Sequence, residues 1–542
     1  MTVLPVAERE LRSAARRPGI YWTRLGTVLA GTLIAGWLAY LQQIVPGLPL
    51  GWTLFVALSG LSFLTALFAG VGFTADTISA ERREGTLGLL FLTDLKPWDV
   101  LVGKLAGSSL GALYSLVAVI PVLAIPLLLG GVTGAEYLRI LLTVLNTLMW
   151  SLSVGILVST FHTESRTARS QTFGLIFAGF SLGPALGGLL GGWLSMRGVG
   201  EDAIKLAVLT FLCVSPGAAY GSGFDQPFRA EPGLFYLSNG VVFLCAVLFF
   251  VIAGRRPPGC WQNESAGRPA ARLAGLFNPD ASIGLGTRQH RSQLLAISPL
   301  VWLVCRRWWR RATPWLFLLV TACTYVGMAC WVGADWLVPD SYLGLSIFLH
   351  LIFKVWISGE APRQVFDDRK SGAMELLLTM PLTNRDFVLG HVRAMIQLFI
   401  RPLLAVAGLD LMLVSVTMIQ WDSNEGSGDR LLLWVMREWF LVIDVAALVV
   451  LGIWHGASTR KSRVQGYGFF AVILVPWLAM AGMATAVYSP MSGGDPVSFS
   501  QKLWLWWLIG TLSVGVFGVL HWKALVGRFR IGAATRPGEK RL

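Results

Sequence analysis

Residues 81–90 read ERREGTLGLL, and residues 368–377 read DRKSGAMELL. Aligned without a gap, the two stretches share an acidic residue, an arginine, a second basic residue, a glycine and a pair of leucines. Self-similarity at one fixed spacing indicates an internal repeat, so the sequence predicts two related halves. The match continues beyond these stretches, at Leu95 and Leu382, Asp99 and Asp386, and Gly103 and Gly390.

The segments on either side of the repeated stretch are apolar and long. Apolar residues make up 54% of the chain and charged residues only 14%, against roughly 45–50% and about 25% in soluble domains. A helix needs about 20 apolar residues to cross a bilayer core of ~30 Å. About twelve segments meet this requirement and leave no room for a large soluble domain. They cover residues 25–44, 52–74, 105–129, 138–161, 173–196, 234–253, 315–332, 342–358, 395–418, 431–454, 466–487 and 503–526.

The basic residues set the orientation. With the N-terminus inside, most Lys and Arg residues fall in cytoplasmic loops, as the positive-inside rule requires. The residues that oppose this orientation are few, namely Arg197, Lys205, Arg229 and Arg430. The net charge of +14 therefore reflects topology and does not indicate nucleic-acid binding. We expect a multi-pass protein of the bacterial inner membrane with both termini in the cytoplasm.

Each half contains an even number of predicted spans, so both halves face the same way. The predicted fold class is an all-α polytopic membrane protein, with about twelve transmembrane helices in two parallel six-helix repeats. We expect the first unit over residues 1–253, a cytoplasmic linker over 254–298 and the second unit over 299–542. The short apolar segment 203–214 precedes Ser215 and Pro216, and we expect it to be re-entrant or interfacial.

The repeated stretch itself predicts a short amphipathic helix at the cytoplasmic membrane surface. A charged turn is followed by leucines, and Gly85 and Pro97 would end and redirect the helix. A charged cluster of this kind is typical of any inner loop. Recurrence of the whole pattern favours a functional surface instead.

The repeated stretch resembles the signature E-R-x-x-G-T-L-x-L-L, followed by P-L, D and G-K, of ABC-2-type transporter permeases. The second copy departs from it at Ala373 and His391, where Thr and Lys are usual, and the first has Asp94 and Lys96 near the expected P-L. The matching residues are Glu81, Arg82, Gly85, Thr86, Leu87, Leu89, Leu90, Asp99, Gly103 and Lys104 in the first copy, and Arg369, Gly372, Glu375, Leu376, Leu377, Pro381, Leu382, Asp386 and Gly390 in the second.

In that family, the helix before the first span and the loop after the second form the docking surface for a cytoplasmic ATPase. The resemblance implies coupling helices near residues 79–99 and 366–386, and charge reversal at both Arg82 and Arg369 should release the ATPase. The implied coupling residues are Glu81, Arg82, Arg83, Gly85, Asp99, Asp368, Arg369, Lys370, Gly372 and Asp386.

The chain has no G-x-x-x-x-G-K-[ST] phosphate-binding loop, so we expect no catalytic residues and no cofactor bound by this chain. ATP and magnesium would be bound by the partner ATPase, present as two copies or a dimer. Membrane lipids are the other expected partners, and no nucleic acid is expected.

Ionisable residues inside the spans are candidates for a translocation path, because burying a charge in hydrocarbon is costly. Asp410 and Arg437 lie at comparable predicted depth, which allows them to pair. Two interpretations stay open: ion pairs that lock helices together, or a polar lining for a charged or headgroup-bearing substrate. Under the second, Asp444→Asn impairs export and leaves assembly intact. The candidates are Arg401, Asp410, Arg437, Glu438 and Asp444, with Lys354 near the inner end of its span.

No metal site is predicted. The six cysteines lack C-x-x-C spacing, and we expect His350 and His455 to lack acidic companions. The leading hypothesis is the permease subunit of an ATP-driven exporter of a lipid, glycolipid, drug or peptide. The alternative is a proton- or ion-coupled secondary transporter with a six-plus-six helix repeat. No residue constellation supports a membrane-embedded enzyme.

Overall fold

A computed structural model describes the chain at separate positions between residues 8 and 39, at residue 296, and over residues 49–87, 97–163, 165–255, 298–305, 308–332, 339–370, 372–379, 383–420, 427–458 and 499–533. Most of the linker predicted over 254–298 lies outside these residues. So do the predicted span 466–487 and residues 88–96 of the first coupling stretch.

Every regular element in the described ranges is an α-helix, which confirms the predicted fold class. The helices are α1 (Leu50–Phe73), α2 (Thr77–Glu84), α3 (Pro97–Leu123), α4 (Ile125–Leu129), α5 (Gly134–Phe161), α6 (Ser165–Met196), α7 (Glu201–Leu212), α8 (Pro216–Gly221), α9 (Asp225–Ala230), α10 (Pro232–Gly254), α11 (Pro299–Cys305), α12 (Trp308–Val332), α13 (Pro339–Lys370), α14 (Ala373–Leu378), α15 (Asn384–Gln420), α16 (Ser427–Ser458) and α17 (Phe499–Ala533).

Ten helical stretches among the described residues are long and apolar enough to cross a membrane. They coincide with ten of the predicted spans. Of the remaining two, 466–487 lies outside the described residues. The other, 25–44, is described only at separate positions, all of which are helical.

The segment predicted to be re-entrant forms α7. Its 12 residues extend about 18 Å, at ~1.5 Å per residue, which is too short for a bilayer core of ~30 Å. Helix α7 packs closely against α6, where an added Cβ at Gly183 would lie 2.7 Å from the carbonyl oxygen of Phe211. The chain then runs back toward α1, because the hydroxyl of Tyr220 in α8 lies 2.8 Å from Ser59 Oγ.

The helices group into two compact units. Unit one comprises Met1–Arg272 with Leu319–Gly333, and unit two comprises Leu273–Leu318 with Ala334–Leu542. In unit one, α5 is the central helix and packs against both α1 and α10. In unit two, α16 has the equivalent role and packs against α13 and α17.

The central helix crosses its neighbour at an equivalent glycine in each unit. In unit one, an added Cβ at Gly155 of α5 would lie 2.1 Å from Thr74 Oγ1. In unit two, an added Cβ at Gly452 of α16 would lie 2.6 Å from Ala361 Cβ. Thr74 and Ala361 are the same position in the gapless register of the repeated stretch. The helix crossing is therefore repeated together with the sequence.

Candidate functional site

The first copy of the repeated stretch follows α1 along the chain. A turn at Thr74–Asp76 separates α1 from α2, and the hydroxyl of Ser159 in α5 accepts hydrogen bonds from Ile78 N (2.8 Å) and Ser79 N (3.2 Å) at the start of α2. Helix α2 ends at Gly85, which has a φ of 69°. This left-handed conformation is readily adopted by glycine and costs other residues energy, which explains the glycine at this position.

Glu81 belongs to a buried network of charges. The ammonium of Lys104, whose side chain is 7% exposed, contacts the carboxylates of both Glu81 and Glu10. The Lys104–Glu10 distance is 2.8 Å, and the hydroxyl of Thr86 also hydrogen-bonds Glu81. Arg9 Nη2 lies 3.7 Å from Glu81 and 2.9 Å from Glu10. The network joins α2, α3 and the N-terminal segment, by which we mean the described residues Glu8, Arg9, Glu10 and Arg12.

The N-terminal segment approaches α3 closely at Gly107, where an added Cβ would lie 2.5 Å from Glu10 Cβ. Burial alone would raise the pKa of Glu10, but hydrogen bonds from Lys104 and Arg9 outweigh burial and hold the pKa below its usual 4.5. Glu10 therefore stays ionised and bound to Lys104. The sequence had not singled out Glu10, because nothing in a linear pattern connects it to a lysine 94 residues later.

The other predicted residues of the first copy differ in accessibility. Arg83 is exposed, donates to both carboxylate oxygens of Asp76 (2.8 and 3.2 Å) and reaches the carbonyl of Thr163 at 3.0 Å. Arg82 is half-buried, and Asp99 is half-buried in the first turn of α3.

The second copy repeats the turn. Gly372 has a φ of 77° and is followed by the short helix α14. Asp368 interacts electrostatically with the buried His391, and these two residues occupy the positions of Glu81 and Lys104. An acidic residue in the motif and a basic residue in the following helix therefore recur at these two positions with different side chains.

Arg369 does not lie on the surface. Its side chain is buried and donates from Nη1 to the carbonyl oxygen of Gly456 in α16, at 2.8 Å. The expectation that Arg369 directly contacts a docked partner does not fit this position, because the guanidinium is used inside unit two.

Asp386 has a local structural role. It accepts from the backbone N–H of Thr383 at 3.0 Å, while Thr383 Oγ1 accepts from the N–H of Asp386 at 3.2 Å. This reciprocal arrangement caps the start of α15. Lys370 is the last residue of α13, and its side chain lies outside the described part of the structure. The exposed side chains nearby include Glu375 and Leu376, the latter 74% exposed.

The predicted intramembrane charges form a cluster in unit two. Asp410 of α15 is 1% exposed. It accepts hydrogen bonds from two side chains of α13: the hydroxyl of Ser346, and Nε2 of His350 at a distance of 2.8 Å. Arg437 of α16 lies 3.3 Å from Asp410, which confirms the predicted pairing.

Glu438 completes the cluster. Its carboxylate lies 3.2 Å from Arg437 Nη2 and 3.4 Å from His350 Nε2. The ring of Trp434 lies beneath the guanidinium of Arg437, 3.9 Å from its carbon to the ring centroid, and fixes that group in place. We name Ser346, His350, Asp410, Arg437 and Glu438 the charge cluster.

A separate ion pair joins Lys354 of α13 to Asp444 of α16 at 2.7 Å, with side chains 10% and 6% exposed. Arg401, in contrast, is exposed on α15 and belongs to neither group. The structure therefore brings four of the five predicted path residues into two groups of contacting side chains and leaves the fifth outside them.

The expectation that His350 lacks acidic companions is wrong. Its partners come from α15 and α16, far away in sequence. The sequence does contain one indication of this cluster. Ser346, His350 and Lys354 are polar residues four positions apart, so they lie on one face of α13. His350, Asp410 and Glu438 each place a ligand atom within 4.8 Å of the others, a spacing that a metal ion could use. Arg437 already supplies positive charge to both carboxylates there.

Unit one has no equivalent cluster among its described residues. In the register of the repeated stretch, His350, Lys354 and Asp410 correspond to Phe63, Leu67 and Leu123, all buried. In the register of the crossing glycines, Arg437 and Asp444 correspond to Ile140 and Thr147. The charges are thus an addition to the fold of unit two, because the same helix packing is achieved without them in unit one.

A family model described as "ABC-2 family transporter protein" matches residues 22–253 and 361–507. The matched segments include both copies of the repeated stretch and fall on either side of the predicted linker. No curated protein matches the chain.

Proposed function

The chain belongs to the ABC-2 family of transporter proteins, and from this premise we propose that it is the permease subunit of an ATP-binding-cassette exporter, driven by a separate cytoplasmic ATPase. The family and the apolar helices make it a multi-pass membrane protein. The coupling to an ATPase, the outward direction and the substrate class of lipid, glycolipid, drug or peptide are the parts that we propose.

The buried Lys104 network carries the proposal. It connects the N-terminal segment, α2 and the start of α3, because the ammonium of Lys104 contacts a carboxylate from each of the other two elements. A displacement of α2 would therefore also displace α3, and through the turn at Thr74–Asp76 it would displace α1. A surface that couples an ATPase to transport needs such a mechanical connection to the membrane-spanning helices.

Unit two offers a second point of the same design. Gly372 makes the same left-handed turn, and α11 packs against α15 as the N-terminal segment packs against α3. An added Cβ at Gly390 would lie 2.6 Å from Leu300 Cδ1, which shows how closely α11 approaches. Two docking points in one chain are consistent with an ATPase that is present as two copies or a dimer. We place both in the cytoplasm, with the chain in the bacterial inner membrane.

Copurification tests the proposal. A tagged chain should retain a cytoplasmic ATPase, and Leu376→Asp should retain less of it, because Leu376 is 74% exposed on α14 at one of the two proposed docking points. Met196→Asp is the matched control. Met196 is 86% exposed at the far end of α6, on the order of 45 Å along that helix from Ser165. Equal ATPase retention by both variants, or transport driven by a proton gradient with no ATPase present, would refute the proposal.

A further inference from the structure

The charge cluster contains more negative charge than its fixed positive charge can balance. Asp410 and Glu438 contribute two carboxyl groups, and Arg437 contributes one guanidinium within 3.3 Å of both. The nearby Lys354 and Asp444 neutralise each other at 2.7 Å. These are the charged groups that α13, α15 and α16 direct toward His350, together with the uncharged Ser346.

An uncompensated charge among buried helices is costly, and such a group takes up a proton or a partner instead. One additional proton makes the cluster neutral. The question is which of the three titratable side chains holds it.

His350 is a poor holder of the additional proton. Its Nε2 faces Asp410, and its Nδ1 is buried with no hydrogen-bond partner among the described residues. A charged imidazolium would therefore leave a buried N–H without an acceptor, which is expensive.

Asp410 is also a poor holder, because three donors already contact its two oxygens: the Ser346 hydroxyl, His350 Nε2 and Arg437. Such donors favour the ionised carboxylate. Glu438 remains. Its side chain is 32% exposed, against 1% for Asp410 and 5% for His350. Both carboxyls contact the same two groups, Arg437 Nη2 and His350 Nε2, so they lie side by side and repel each other when both are ionised.

We propose that the charge cluster is a proton-binding site, in which the Glu438 carboxyl takes one exchangeable proton from water while Asp410 stays ionised between Ser346, His350 and Arg437. The O–H bond formed on Glu438 breaks again when the proton returns to water, so the step needs no other reactant. This site goes beyond the proposed ATP-driven export, and its test requires no ATPase.

The test is infrared difference spectroscopy of the full chain in lipid nanodiscs, with pH as the variable. The wild-type protein should show a protonated-carboxyl C=O band that disappears in a single step as the pH is raised. Glu438→Gln should abolish the band. Glu360→Gln is the matched control, because Glu360 is a half-buried carboxylate on α13 that lies 3.8 Å from Arg310 and outside the cluster. This control should retain the band.

Two results would overturn the proposal: no titrating carboxyl band in the wild-type protein, or an unchanged band in Glu438→Gln. If Glu438→Gln does not fold, Glu438→Asp replaces it and withdraws the carboxyl by one methylene. The band should then titrate at a pH at least half a unit away from the wild-type midpoint. An unchanged midpoint would equally overturn the assignment.

Discussion

At the scale of single residues, the Lys354–Asp444 pair shows what a buried charge costs and contributes. Both side chains are at least nine-tenths buried, so removing one partner leaves the other charge uncompensated. Unit one shows that the same helix crossing is stable without ions, because Leu67 and Thr147 occupy the corresponding positions. The pair therefore locks α13 to α16 in one register and is not required by the fold itself.

We predict that Lys354→Leu alone destabilises the protein by about 3–5 kcal/mol. The double variant Lys354→Leu/Asp444→Thr copies unit one and should recover most of this loss. Thermal unfolding in nanodiscs measures both. The sequence had suggested that Asp444→Asn impairs export with assembly intact; the observed pairing predicts a loss of folded protein instead. Normal folding of Asp444→Asn with lost transport would restore the path interpretation.

Glu10 provides a prediction on pH. Its folded-state pKa lies below the ordinary 4.5, so its stabilising effect is complete above pH 4.5 and disappears as the pH falls through the lower folded-state value. Glu10→Gln should lower the free energy of unfolding by about 1–3 kcal/mol at pH 7, and the difference from wild type should vanish in acid.

The control for Glu10 is Glu8→Gln. Glu8 also pairs with an arginine, Arg12, at 2.6 Å, but both side chains are more than half exposed. A surface pair of this kind contributes at most about 1 kcal/mol. Denaturation curves at several pH values compare the variants, and a difference for Glu10→Gln that does not depend on pH would argue against the buried network.

At the scale of helices, the sequence predicts where a membrane-spanning helix occurs better than it predicts how long the helix is. The apolar window 395–418 became α15, Asn384–Gln420, and 342–358 became α13, Pro339–Lys370. Both helices continue into the repeated stretch, because amphipathic segments outside the bilayer core can be helical without being apolar. The pairing of Asp410 with Arg437 followed from equal depth, whereas His350 needed the packing of α13 against α15 and α16.

The crossing glycines carry the prediction at this scale. Gly155→Leu should destabilise unit one by at least about 1–3 kcal/mol, because even a Cβ would overlap Thr74 Oγ1 and lie 2.7 Å from the carbonyl of Gly70. Gly72→Ala is the control, since a Cβ there meets no atom within 4 Å. It should be neutral or stabilising by up to about 1 kcal/mol. Thermal unfolding tests both, and equal melting temperatures would contradict the close crossing.

At the scale of the whole molecule, the chain carries two copies of the repeated stretch, and its described residues contain one charge cluster, in unit two. The two copies share the left-handed glycine, and both have an acidic residue and a basic residue at the positions of Glu81 and Lys104. The membrane-embedded parts differ, because ionisable side chains in unit two replace uncharged ones in unit one. The repeat could be predicted from the sequence, since its register is gapless. From the sequence, the asymmetry shows as charged residues inside the predicted spans of the second half. Partners such as His350 for Asp410 and Lys354 for Asp444 are set by tertiary packing and could not be predicted.

This organisation predicts the composition of the complex. Under the proposed function each copy of the repeated stretch docks one ATPase protomer, so a single chain should bind two ATPase protomers without a second permease chain. Native mass spectrometry of the purified complex measures the ratio directly. Leu376→Asp disables only the unit-two motif and should shift the main species to one chain with at most one ATPase, while Met196→Asp keeps the ratio of one to two. A wild-type complex containing two permease chains would show instead that each chain supplies half of a larger translocation path.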